Sequence, residues 1–308
     1  MDADTQLAFG LISSGLMTRV SSNCPWNRLR PVFLLGIISL TLAGCSNQFI
    51  YNRIDRLAQF YIERYVALDP AQDSSLKVNL EAIKEWHRHD ELAAYLEFLD
   101  RVEAETHAEV TAGTVAAWIQ QLREYYSRIQ DKVMPALVEV AATLTPAQID
   151  EFARNLDKRQ QDLAKELLSR DEKEYREYVY KEIVKGIEEW LGKVTPEQQQ
   201  VIHQTAQELE RLDRAWLDTR RAWRQQVLAE LQRQPGWQER MTDLVKNRTD
   251  YSRQEDVVVN DRNEQCIYAA VAAVLNMRTP RQSVKLKDNL QKWRRDLAAL
   301  QSTGQKTL

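Results

Sequence analysis

The sequence is short of glycine and of paired cysteines, and each shortage argues against a class of protein. Nine glycines occur in 308 residues, whereas a β-rich fold depends on glycine in many of its turns. The three cysteines form no Cys-x-x-Cys pair, which argues against a structural zinc site. Good helix formers such as Glu, Gln, Arg, Ala and Leu are abundant. We therefore expect an all-α protein, a multi-helix bundle of about nine or ten helices.

Motifs that carry catalysis are also missing. The sequence has no glycine-rich phosphate loop, no Gly-x-Ser-x-Gly and no His-Glu-x-x-His. None of the four histidines has a glutamate three positions before it, so the Glu-x-x-His pair of a di-iron bundle is absent. His87 and His89 are two residues apart and would point to different sides of a helix. We expect solvated surface histidines, no metal site, no catalytic residue and no enzymatic activity.

The apolar run near the N-terminus is too short to cross a bilayer. Residues 31–43 number 13, against roughly 20 for a transmembrane helix. Two arginines precede the run and Leu42-Ala43-Gly44-Cys45 closes it, which is the order of a secretory signal peptide. The closing residues resemble a bacterial lipobox. The resemblance implies that the lipoprotein signal peptidase recognises Leu42, Ala43 and Gly44, and that Cys45 receives a covalent lipid that includes palmitate.

The predicted leader covers residues 1–44 and leaves residues 45–308 as an all-helical lipoprotein domain, with a candidate sub-boundary near residues 234–236. Met17 is an alternative start, because the leader from there holds three arginines and no acid. The leader removes three arginines and two aspartates, so the mature chain has a net charge of −4. Ser46 follows the lipidated residue where inner-membrane lipoproteins carry Asp. We therefore expect the periplasmic face of the outer membrane.

Cys266 is the only thiol left once Cys24 leaves with the leader and Cys45 carries lipid. No intramolecular disulfide can then form. Cys266 lies in an apolar run with Ile267 and Tyr268, which favours a small buried hydrophobic residue over a reactive thiol. No cofactor is expected apart from the covalent lipid.

The first helix is expected close to the membrane, because only Ser46, Asn47 and Gln48 separate it from Cys45. Residues 49–66 place apolar side chains at a helical period. A helix lying in the membrane surface is one interpretation. We favour a core helix, because the polar positions carry Asp55 and Glu63 as well as arginine and lack the basic excess that anionic lipid selects.

Four stretches share the pattern [Asp/Thr]-Pro-x-Gln, which predicts the start of a helix. The Asp or Thr side chain accepts a free backbone N–H, Pro fits the first helical position, and Gln can reach back to close a capping box. The starts lie 76, 50 and 84 residues apart, which is not the period of a repeat array. The motifs are Asp69, Pro70 and Gln72; Thr145, Pro146 and Gln148; Thr195, Pro196 and Gln198; and Thr279, Pro280 and Gln282.

The pattern of apolar residues and breaks predicts helices over most of the mature chain. Pro135 should kink or split its helix. The polar stretch 249–263 is the expected place for a functional loop or hinge. The last helix spaces Leu286, Leu290, Trp293, Leu297 and Leu300 as a short heptad-like seam, which favours packing inside a bundle over a coiled-coil dimer. Predicted ranges are 49–66, 70–88, 90–110, 114–143, 146–168, 171–191, 196–233, 236–247, 253–277 and 280–301.

Several stretches resemble a family of uncharacterised proteobacterial outer-membrane lipoproteins known as a domain of unknown function. The resemblance spans the mature chain and implies a location and a helical body, without an activity. The stretches are Phe49-Ile50-Tyr51-Asn52-Arg53-Ile54-Asp55, Tyr61, Tyr65-Val66, Leu68-Asp69, Trp86-His87-Arg88, Trp190-Leu191-Gly192-Lys193-Val194-Thr195-Pro196-Glu197-Gln198, and Trp216 to Trp223.

Charge and aromatic residues are unevenly distributed. Residues 69–109 carry 11 acidic and 4 basic residues, whereas residues 278–308 carry 8 basic and 2 acidic ones. We favour packing of the two segments together or solvation over contact of the basic helix with lipid or lipopolysaccharide. The tryptophans of the mature chain are expected mainly in the core. Nucleic acid is not an expected partner of an acidic protein outside the cytoplasm.

These observations favour a lipid-anchored envelope protein that acts as a structural or interaction module. Its expected partners are the membrane, through the anchor, and an unknown envelope protein or lipopolysaccharide. The first alternative is a periplasmic chaperone or envelope-stress protein, because Leu144-Thr145-Pro146-Ala147-Gln148 resembles the motif of the LTxxQ-type periplasmic chaperones. The second is an envelope-polymer hydrolase that uses two facing carboxylates.

Overall fold

The computed structural model describes residues 51–247 and 251–304, so the predictions for the leader, Leu42, Ala43, Gly44 and Cys45 lie outside the described residues. Over the described residues the chain is helical and contains no strand, which confirms the all-α prediction. The helices are α1 (Ile54–Glu63), α2 (Pro70–Trp86), α3 (Leu92–Glu105), α4 (Ala112–Thr143), α5 (Pro146–Leu168), α6 (Glu172–Leu191), α7 (Pro196–Glu208), α8 (Asp213–Glu230), α9 (Trp237–Lys246), α10 (Gln254–Asn276) and α11 (Pro280–Gly304).

Helix α4 connects the parts of the core. It is 32 residues long, and it contributes to three clusters of buried apolar side chains. Its first half joins the largest cluster, with α3, α6, α7, α10 and α11. Met134 packs with Trp237 of α9, and Val140 packs with Leu76 of α2. The clusters on either side of α4 are therefore held by one continuous rod.

Helix α4 corrects one part of the expectation for Pro135, the split of the helix. The helix runs through this proline without a break. Pro135 is exposed, so the carbonyl group that loses its helical partner lies on the side that water can reach.

The predicted helix 196–233 is wrong, because residues 209–212 separate α7 from α8. Leu209 has an extended backbone and is buried. The Asn263 side chain accepts a hydrogen bond from the Glu210 N–H at 2.9 Å and donates one to the Glu210 carbonyl at 2.8 Å. A side chain 53 residues away thus replaces the helical partners of Glu210.

Most of the polar stretch 249–263 is helical and not a loop: only residues 251–253 of its described part precede the helix, and residues 249 and 250 are not among the described residues. Helix α10 begins at Gln254. Its polar residues Asn260 and Asn263 are buried, and Asn260 donates to Glu264 within the same helix. The stretch is polar because these side chains make internal hydrogen bonds.

The break at Pro235 and Gly236 is present between α8 and α9. Gly236 has a φ of +79°, a conformation that glycine adopts at little cost. Residues on both sides of the break pack in one cluster, including Val227 before it and Met241 after it.

Each [Asp/Thr]-Pro-x-Gln motif begins a helix, and the hydrogen bonds of a capping box are present at all four. The glutamines also pair with one another. The Gln198 amide donates to Gln282 Oε1 at 3.1 Å, and the Gln282 amide donates back at 2.8 Å. Gln72 and Gln148 exchange hydrogen bonds in the same way, at 3.2 and 2.7 Å. The four motifs therefore form two pairs of facing helix starts.

Arginine and asparagine side chains donate hydrogen bonds to backbone carbonyl groups at the C-terminal ends of the helices. Arg211 donates to the Leu167 carbonyl at the end of α5, at 2.7 Å. Arg233 donates to the Ala141 carbonyl near the end of α4, at 2.9 Å. Asn289 of α11 donates to the Glu189 and Trp190 carbonyls at the end of α6. These donors satisfy carbonyl groups that have no partner within their own helix.

The acidic and basic segments pack together. Helix α11 lies against α3 and α6, and Arg294 contacts Asp100 and Glu103 at 2.7 and 3.0 Å. The leucines of the heptad-like seam are buried in the main cluster, and Trp293 packs against it. The seam therefore packs within the bundle. Trp237 is buried, and the other six tryptophans of residues 45–308 are half-buried. Cys266 is half-buried against the main cluster.

We predict that Gln198→Leu lowers the free energy of unfolding by about 2–3 kcal/mol, because the buried Gln282 amide and the Val274 carbonyl lose a partner. Urea unfolding followed by circular dichroism measures the loss. The control is Gln200→Leu, an exposed position in the same helix, where the change should stay within about 0.5 kcal/mol. Equal effects at the two positions would show that the glutamine pair does not stabilise the bundle.

Candidate functional site

The most unusual backbone of the bundle is a π-helical turn, His87–Glu91, which joins α2 to α3. A π turn holds one more residue than an α turn and is often found at functional sites. Here it turns three polar side chains inward, and His87, Arg88 and Glu91 are all buried. The predicted break near residue 89 is therefore a widened turn inside a continuous rod.

His87 is held between two tyrosines. The Tyr51 hydroxyl lies 2.8 Å from Nδ1 and the Tyr95 hydroxyl lies 3.2 Å from Nε2. Burial lowers the pKa of His87 to about 4, and the charge of Arg88 adds to this effect. The imidazole is therefore neutral at pH 7, with one nitrogen donating to a tyrosine and the other accepting from one.

The two buried charged groups of the turn, Arg88 and Glu91, are paired. The Glu91 carboxylate accepts two hydrogen bonds from Arg128, at 2.7 and 2.6 Å. The Arg88 guanidinium donates to Glu85 and to the Asn52 side chain. These bonds compensate for the cost of removing the charges from water.

An apolar cavity of about 200 Å³ lies beside His87, between α1, α2 and α4. Tyr51 and His87 form part of its wall, and Asp55 and Lys84, 3.2 Å apart, supply charge on another part. A cavity of roughly 150 Å³ can admit a benzene molecule. The space is thus large enough for a small apolar group. The aliphatic and sulfur-containing lining residues are Ile54, Ala58, Leu80, Ile83, Ile129, Val133, Met134, Leu137 and Val245.

The hydrogen bonds of His87 with Tyr51 and Tyr95 are suited to joining three segments of the chain rather than to transferring protons. A general base needs a pKa near the working pH and a free lone pair, whereas His87 is neutral and bonded at both nitrogens. Burial also raises the pKa of Tyr51 and of Tyr95, so both remain protonated. Among the described residues, no three His, Cys, Asp or Glu side chains converge to hold a metal ion.

The prediction of surface histidines is wrong for His87, although His89, His107 and His203 are exposed. The sequence does contain a signal for its burial. Leu76, Leu80, Ile83 and His87 are spaced by four, three and four residues, which places His87 on the buried face of α2. Its tyrosine partners, 36 residues before it and 8 after it, could not be read from that spacing.

One family model, described as a family of unknown function (DUF6279), matches residues 64–256. The match includes Trp86-His87-Arg88 and the stretches near Trp190 and Trp216, and it supports the predicted resemblance to an uncharacterised family. No curated protein and no solved structure matches the chain. Within the described residues, no helix has the length and apolar character needed to span a membrane.

We predict that His87 makes the bundle less stable as the pH falls. The unfolded chain binds a proton near pH 6.5 and the folded chain only near pH 4, so protonation favours unfolding between these values. The stability that the neutral His87 contributes is fully present above pH 6.5, and the free energy of unfolding falls by about 2–3 kcal/mol by pH 4.5. The measurement is urea unfolding from pH 7 to pH 4.5.

The comparison variant is His87→Gln, whose amide can donate and accept but does not titrate. The free energy of unfolding of this variant should fall less steeply over the same pH range. If the two proteins lost stability in parallel, the buried histidine would not be the cause.

Proposed function

This chain belongs to the family of unknown function DUF6279, and we propose that it is a lipid-anchored envelope protein that presents its helical bundle to a partner without catalysing a reaction. The observation that carries the proposal is the position of Tyr51. This residue is 1% exposed and is hydrogen-bonded to His87. It lies six residues after Cys45, the proposed site of the lipid.

The short distance along the chain limits how far the bundle can lie from the lipid. Six residues span at most about 20 Å when fully extended. Because Tyr51 is fixed in the core, a lipid on Cys45 would hold the bundle at the bilayer surface with no long tether. We place the protein on the periplasmic face of the outer membrane, because Ser46 follows the lipidated cysteine.

The hydrogen bonds of the bundle favour an interaction module over the two alternatives. In the chaperone-like stretch, Leu144 is buried and Gln148 pairs with Gln72, so both side chains are used by the fold. For a hydrolase, the buried carboxylates of Glu91 and Glu264 would have to leave Arg128 and Arg123. The partner we propose is another envelope protein or lipopolysaccharide, in addition to the membrane itself.

We predict that Cys45→Ser abolishes lipidation. The parent protein should incorporate labelled palmitate in cells, and its mass should correspond to a chain that starts at a lipidated Cys45. The Cys45→Ser variant should incorporate no label and keep its leader, because the peptidase requires the modified thiol. Cys266→Ser is the matched control and should be labelled like the parent. An unlabelled parent protein, or label retained by Cys45→Ser, would contradict the proposal.

A further inference from the structure

The outer surface of α1 carries a stripe of exposed side chains. Arg56, Phe60 and Glu63 are exposed, and their spacing of four and three residues places them on one side of the helix; Arg53, directly before the helix, is also exposed. Phe60 is 50% exposed and is the large apolar side chain of this stripe. Helices that lie at a lipid headgroup layer combine arginine or lysine with apolar side chains such as Phe that reach the acyl boundary.

The acidic residue that argued against a membrane contact does not lie on this stripe. Asp55 is buried and forms an ion pair with Lys84 of α2 at 3.2 Å. Gln59 turns toward α2 in the same way and donates to Asp73. With Asp55 turned inward, Glu63 is the one acid among the exposed residues of α1, and Arg56 is exposed on the same side.

We propose that this stripe, defined by Arg53, Arg56 and Phe60, lies against the anionic headgroups of the membrane, with the Phe60 ring at the boundary of the acyl chains. The inference rests on the proposed function for the nearness of the membrane. Arg53 is eight residues after Cys45, so the anchor holds the stripe within reach of the lipid surface. The charge and the exposed ring are independent of the anchor.

More positive charge lies near the C-terminal half of α1. Arg159 of α5 and Arg220 of α8 act on the Tyr61 hydroxyl in the sense that lowers its pKa, although burial has the larger effect and raises the pKa overall. Both guanidinium groups are therefore close to α1.

The test uses the full-length protein, produced in cells with a photoreactive benzoyl-phenylalanine in place of Phe60 and mixed with phosphatidylglycerol vesicles. Irradiation should attach a phospholipid to the peptide that contains position 60, as read by mass spectrometry. The matched position is 284, because Val284 is 60% exposed. It lies in the first turns of α11, which begins near the C-terminal end of α3. A photoreactive group there should give at least fivefold less lipid adduct.

Charge removal tests the contribution of the arginines. Arg53→Gln and Arg56→Gln should each lower the lipid adduct at position 60 by about fivefold, and neutral phosphatidylcholine vesicles should lower it as well. Arg281→Gln with Lys285→Gln, two exposed basic positions on α11, should leave the adduct unchanged. Equal yields at positions 60 and 284, or an adduct with a second copy of this chain in place of lipid, would overturn the inference.

The mass of the same protein shows whether Cys45 carries lipid, so the failure of this inference can be distinguished from the failure of the proposed function. If Cys45 carries lipid and positions 60 and 284 react alike, the anchor stands and the membrane-facing stripe does not. If Cys45 carries no lipid but position 60 still reacts selectively with phospholipid, the stripe stands and the proposed anchor fails.

Discussion

The bundle depends on satisfying the helix ends that it buries. The first N–H groups and the last carbonyl groups of a helix have no partner within it, and each costs about 1–3 kcal/mol when it is buried unpaired. Local capping boxes supply partners for the first N–H groups, and side chains from other parts of the bundle supply partners for the last carbonyl groups. Facing glutamines bridge the starts of α2 and α5 and of α7 and α11, and Arg211, Arg233 and Asn289 bond the carbonyls at helix ends. The glutamine pairs and the bonds to the carbonyl groups together fix which helix ends lie side by side.

Helix starts could be predicted from the sequence because capping is local. Asp69 or Thr195 meets its partner three residues later, within one turn. The pairing of the glutamines could not be predicted, because it joins positions 76 and 84 residues apart and requires the fold to bring two corners together. The break after α7 was missed for the same reason, since Leu209 to Leu212 contain no proline or glycine and the interruption depends on Asn263.

The candidate site was only partly predictable, for a reason of geometry. The spacing of apolar residues along α2 extends to His87, but the π turn inserts an extra residue and rotates α3 relative to α2. A helical pattern carried through the turn would place the residues of α3 on the wrong faces. One partner of His87, Tyr95, lies beyond this turn, and the other, Tyr51, lies at the start of the described chain, so only the structure shows the two tyrosines around the imidazole.

Net charge alone gives a misleading guide to the surface that could meet a membrane. The last helix is the most basic segment, yet Arg294 is bonded to Asp100 and Glu103 of α3, so part of its charge is neutralised within the bundle. The first helix carries acids in its sequence, but the fold turns Asp55 inward to Lys84. A short chain from Cys45 also ties α1, and not α11, to the proposed lipid. The direction in which each charge points and the length of chain to the anchor therefore favour the first helix, although composition favours the last one.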